Sequence, residues 1–236
     1  MNNVNDTPVS APRTLGAWAV AYLGAGVVSA IVVGLTGHLD TPAESVPTWA
    51  MAVSILAMWA TMLGLLGRFV PSMPSFSPRA SKSWFRLSDV IIGIPLGIAT
   101  QVILVNAVNW PLHKIWPDTF NSDEVTRRAT ELVDNATGVW LIVLALVVAV
   151  GAPIVEEVVY RGTLQPVVVS AWGTAMGIGV VAVIFAAIHQ SGVEFPGLLV
   201  VALVFGIARH RTGRLGLSIV THMAFNATAL VLVLVS

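Results

Sequence analysis

With 56% of its 236 residues hydrophobic and only 10% charged, this chain cannot clothe a water-facing surface, because a soluble domain carries about 25% charged residues. A mean hydropathy of +0.84 agrees, and the expectation is an all-α, polytopic transmembrane bundle of about seven to eight helices. Twelve basic and twelve acidic residues cancel, which leaves no basic field for nucleic acid, and the absence of cysteine excludes disulfides, thiolate metal sites, thiol nucleophiles and cysteine-linked lipids.

Residues 1–13 are polar and Pro-containing and are expected to form a disordered tail; residues 14–236 are expected to form one transmembrane domain. A helix needs roughly 20 residues to cross about 30 Å of hydrocarbon. Stretches that reach or approach this length run Leu15–Gly37, Thr48–Phe69, Asp89–Asn109, Gly138–Tyr160, Thr174–His189, Pro196–Ala208 and Leu215–Val235. The first is too long for the core of a cleaved signal and reads as a retained span. Trp110–Thr137 is the longest loop and carries charges of both signs; a short interfacial helix over Asp123–Asn135, capped by Ser122, fits there. Thr163–Trp172 is apolar but interrupted by Pro166, and reads as an interfacial segment or a partial eighth crossing.

Basic residues mark cytoplasmic loops. Arg68, Arg79, Lys82 and Arg86 cluster between the second and third spans, and Arg209, Arg211 and Arg214 between the sixth and seventh. His38–Pro47, by contrast, holds only the acids Asp40 and Glu44. All three loops agree with a cytoplasmic N-terminus. Gly93 with Gly97, and Gly173 with Gly177, have the small-xxx-small spacing that lets helices approach closely.

The apolar stretches of the first three spans hold no ionisable residue, whereas the last four hold Glu156, Glu157, Arg161, His189 and His222. Charges at membrane depth cost several kcal/mol each, so they turn inward and pair. Residues four apart share a helix face. Glu157 and Arg161 are so related and form a salt bridge that neutralises one carboxylate; Phe185 shares a face with His189, and His222 with Asn226. Glu156, turned about 100° from Glu157, is left free to point into a shared site. It is the candidate general base for a water beside a peptide carbonyl. His189 would hold that water or protonate the leaving amine, and His222 and Asn226 would donate to the oxyanion. Depth is the difficulty. Counted up from Thr174, His189 falls near the face opposite Glu156 and His222. Strong tilt, a fifth helix that begins below the membrane, or a re-entrant Thr163–Trp172 would bring them together.

Glu-Glu-x-x-x-Arg at 156–161, Phe-x-x-x-His at 185–189 and His-x-x-x-Asn at 222–226, in that order on successive spans, resemble the motifs of the CPBP family. This family includes the type II CAAX prenyl endopeptidases and bacterial Abi relatives. The resemblance covers roughly Gly138–Val235 and would place the catalytic helices in 138–235. It implies a glutamate-dependent intramembrane peptidase with Glu156 as base, His189 as its partner on the water, His222 and Asn226 at the transition state, and Glu157 with Arg161 in support. It also implies a membrane-associated peptide or protein substrate cut near the cytoplasmic leaflet, and a place in the bacterial cytoplasmic membrane, with no nucleic-acid partner. A zinc ion held by Glu156, His189 and His222 is the alternative chemistry. The chain lacks a His-Glu-x-x-His helix, so the reading without metal or other cofactor is preferred. Two other classes compete: a catalytically silent scaffold that binds a membrane partner, and a proton-coupled transporter relaying through Glu156 and His222. A transporter would favour paired broken helices in both halves, yet the first half has no embedded charge.

Overall fold

The computed structural model describes residues 10–42, 45–74 and 84–235. Most of the expected tail, and Glu44, Arg79 and Lys82, lie outside the described residues. Among the described residues the protein is all-helical: α1 (Ala11–Leu35), α2 (Thr48–Phe69), α3 (Leu87–Ile115), α4 (Ser122–Asp134), α5 (Val139–Trp172), α6 (Thr174–Ala187), α7 (Phe195–Thr212) and α8 (Gly216–Val235). Six of these are long and apolar enough to cross a membrane; α6, with 14 residues, is apolar but shorter. α1 starts ahead of Leu15 because Pro12 sits in its first turn, where a missing N–H leaves nothing unpaired. α3 runs past Asn109 through Pro111. The amphipathic α4 begins with Asn121 as its cap, whose Oδ1 accepts from Glu124 N at 2.9 Å, so the cap lies one residue before Ser122.

The fourth expected span does not end at Tyr160. Thr163–Trp172 is neither a separate interfacial segment nor an eighth crossing; it forms the last turns of α5. Pro166 fails to break the helix because it follows a π-helical turn over Val158–Leu164, in which Gln165 N–H reaches back to Tyr160 O. A π turn shifts the pairing by one residue and absorbs the register change that a proline imposes. Gly173, at φ +83°, then turns the chain straight back into α6. Gly177 lies on Val169 of α5 so closely that a Cβ would collide with its backbone. Of the Gly173 and Gly177 pair, one residue therefore serves the turn and the other the packing. Gly93 and Gly97 both face α8, where a Cβ on Gly97 would strike the Thr221 carbonyl and Ala224.

Two ties fix the ends of the bundle. Asp89, buried at the start of α3, pairs with Arg214 in the α7–α8 turn at 2.7 Å and accepts from Arg86 N at 2.8 Å. Gly216 N donates to Trp84 O at 2.8 Å beside it. The two Arg-bearing ends thus share one side. At the other end Thr48 Oγ1 donates to Asn135 O at 3.0 Å, joining the start of α2 to the end of α4. The core lies between α1, α2, α5, α6 and α7 and includes Leu66, Tyr160, Leu164, Val168, Phe185 and Ala202. Ile91, Ile94 and Ile98 on α3, and Val20, Leu23, Val27 and Ile31 on α1, stay exposed at helical spacing, the apolar stripes that acyl chains cover. Replacing Gly97 by Leu is expected to lower unfolding stability in detergent by about 1–3 kcal/mol through overpacking. The same change at Gly26, which has open space around it, is expected to leave the thermal midpoint within experimental scatter.

Candidate active site

The site begins on α5. Glu157 is fully buried, and its Oε1 lies 3.1 Å from Arg161 Nη1 and 3.0 Å from His222 Nδ1. A carboxylate only accepts, so the short contact puts a proton on His222 Nδ1. His222 Nε2 then faces Glu156 Oε2 at 3.8 Å, beyond hydrogen-bond reach. His222 therefore stands between two carboxylates adjacent in sequence, and Glu157 supports the histidine as well as the expected arginine. The ring of His222 stacks on Phe205 with centroids 4.4 Å apart.

Arg161 is buried completely. Its Nη2 donates to Ala202 O at 3.0 Å, and its guanidinium carbon lies 4.5 Å from the Phe185 ring centroid and 5.4 Å from that of Phe205. The faces of both rings favour the cation where no water reaches it. One turn on, Gln165 Nε2 donates to Gly206 O at 2.8 Å. Two α5 side chains one turn apart thus meet two α7 carbonyls one turn apart, which sets the register of these helices. Gln165 escapes a sequence reading because a lone glutamine beside a proline carries no motif.

His189 reaches the site through α6. Because α5 continues to Trp172, α6 starts well beyond the level of Arg161 and climbs back along α5. This is the expected alternative in which the fifth helix begins deeper. Phe185 meets Tyr160 at 5.3 Å between centroids, and its ring lies 5.0 Å from that of His189 and 5.9 Å from that of His222. One phenylalanine is therefore a wall common to both histidines. His189 Nδ1 lies 2.8 Å from Phe185 O. A carbonyl only accepts, so Nδ1 donates and Nε2 is the nitrogen left to face the site.

Asn226 Nδ2 donates to Val148 O at 2.8 Å. That carbonyl is free for a local reason. The π turn over Val147–Gly151 directs Ala152 N–H to Val147 O, and Pro153, the next residue, has no N–H to offer. Asn226 retains a second N–H and, with His189, lines a cavity of about 600 Å³ shared with Gln101, Asn109, Arg128 and Glu194. Glu156, whose side chain is 23% exposed, and His222 are not among the lining residues. Among the described residues no group of three His, Cys, Asp or Glu side chains stands close enough to hold a metal ion.

Residues 138–228 match the family model described as Type II CAAX prenyl endopeptidase Rce1-like, in agreement with the resemblance drawn from the three motifs. The match runs from the start of α5 into α8 and contains Glu156, Glu157, Arg161, His189, His222 and Asn226. No curated protein and no solved structure matches the chain. Replacing Arg161 by Met removes the guanidinium that neutralises the buried Glu157 carboxylate, leaving it the His222 N–H, and is expected to cost about 3–5 kcal/mol of stability. Adding Glu157→Gln to that variant is expected to recover part of the loss, read as non-additivity in denaturant unfolding in micelles.

Proposed function

From the resemblance of the last four helices to the type II CAAX prenyl endopeptidases, we propose that this integral membrane protein is a glutamate-dependent peptidase. Its substrate is a peptide bond of a membrane-associated peptide or protein. The observation that carries the reading is that Glu156, Glu157, Arg161 and His222 form one paired group inside apolar helices, beside a cavity lined by His189 and Asn226.

In this reading His189 Nε2 accepts a hydrogen bond from the water and holds it, Nδ1 being engaged with Phe185 O. Glu156 removes the other proton as the water oxygen attacks the carbonyl carbon. The second N–H of Asn226 and a protonated Nε2 of His222 donate to the resulting oxyanion. As the C–N bond breaks, the proton held by Glu156 passes to the leaving amine. Arg161 and Glu157 do not touch the substrate; they fix His222. The steps need no cofactor.

The Arg-bearing ends of α2, α3 and α7 are read as cytoplasmic, with the N-terminus on that side, in a bacterial cytoplasmic membrane. His222 lies less than two turns from the start of α8 at Gly216, in the half of the bundle nearer those ends. The cavity extends from Phe225 and Asn226 toward the α4 end. We read cleavage as occurring near the cytoplasmic leaflet, at Glu156 and His222, with the cavity giving the substrate chain a way in from the α4 side.

The test is cleavage of membrane-inserted peptides by the purified protein in liposomes. Glu156→Gln and His189→Ala are each expected to lower the rate by about 10²-fold or more, and Asn226→Ala by roughly 10²–10³-fold. Variants that cut as fast as the parent would defeat the reading. A cellular phenotype that survives Glu156→Gln would favour a silent scaffold.

A further inference from the structure

His189 sits just past the end of α6, in a segment whose backbone is held from two sides. Gln190, the next residue, has φ +55°, a left-handed conformation that non-glycine residues adopt reluctantly and keep where their surroundings impose it. On one side, Tyr22 of α1 donates its hydroxyl to Ile188 O at 3.3 Å and accepts from Gln190 Nε2 at 3.3 Å. On the other, Arg128 of α4 directs both Nη1 and Nη2 to His189 O at 3.1 Å each, and its Nη1 lies 3.3 Å from Glu194 Oε2. Carbonyls at a helix C-terminus lack N–H partners and attract cations. A guanidinium fork gripping one carbonyl fixes direction as well as distance. Arg128, His189 and Glu194 all line the cavity, while α4 lies outside the segment matched to the family.

We propose that Arg128 is a positioning residue for His189. By gripping the His189 carbonyl from α4, it holds the strained turn that aims the imidazole at the bound water, and it makes closure of the cavity by α4 a condition of that aim. This rests on the peptidase reading for its catalytic consequence, while its structural part can be measured without turnover.

The experiment uses full-length protein with isotope-labelled histidine in micelles, the ring signals of its five histidines resolved by NMR and that of His189 assigned with His189→Ala. Arg128→Ala is expected to move the His189 signal and leave the other four in place. It is expected to lower kcat on a membrane peptide by roughly ten-fold or more, with KM changed by less than about three-fold, as a misplaced catalytic group does. Arg128→Lys is expected to recover part of both effects. Arg127→Ala is expected to change neither, since Arg127 bonds within α4 to Glu131 at 2.8 Å. A His189 signal unmoved by Arg128→Ala overturns the proposal, as does an unchanged kcat. If the parent itself fails to cleave, the peptidase reading falls and the ring signal alone decides the role of Arg128. If Arg128→Ala loses all five signals by unfolding, Arg128→Lys decides by the same readouts, because an ammonium keeps the charge without the fork.

Discussion

A single carboxylate oxygen, Glu157 Oε1, holds a guanidinium and an imidazole in a place that neither water nor lipid can serve. Each partner alone would be costly there, since an isolated ion at low dielectric carries a desolvation penalty of several kcal/mol. Together they offset one another through Oε1, although Glu157 Oε2 and Arg161 Nε stay buried without a hydrogen-bond partner. Arg161 neutralises the carboxylate, Glu157 fixes the tautomer of His222, and the α7 carbonyl of Ala202 takes a further N–H of Arg161. Glu156 inherits its position from this arrangement, for the residue beside a fixed Glu157 must point about 100° away, which brings it to the other nitrogen of His222.

The irregular backbone of α5 follows from the same requirement. Two π-helical turns, Val147–Gly151 and Val158–Leu164, flank the paired glutamates, and a proline follows each. One turn leaves the Val148 carbonyl for Asn226. The other lets the helix pass Pro166 and carry Gln165 to Gly206 O. The extended helix in turn sets where α6 begins, and so the level at which Phe185 and His189 arrive. A straight α5 ending at Tyr160 would leave His189 too far along the bundle.

Much of this was legible in the sequence. The limits of α2 coincide with its apolar run, and the pairing of Glu157 with Arg161 follows from their four-residue spacing. The end of α5 was not legible, because proline is read as a helix breaker and π turns have no sequence signature strong enough to override that reading. Nor was the contact of His222 with Glu157, since spacing relates residues on one helix and says nothing of two helices 65 residues apart in the chain. Arg128 looked like one charge among several in a polar loop. Its role emerges only when α4 is folded against the turn that carries His189.

For the proposed peptidase to act on water, Glu156, His189 and Asn226 must face a wet space within the bilayer, beside the dry cluster of Glu157 and Arg161. Because the chain has no cysteine, single cysteines report without background. Glu156→Cys in proteoliposomes should react with a charged, membrane-impermeant thiol reagent, while Val183→Cys, 47% exposed on the apolar outside of α6, should not. A Glu156→Cys thiol as inert to that reagent as the Val183→Cys thiol would contradict the account.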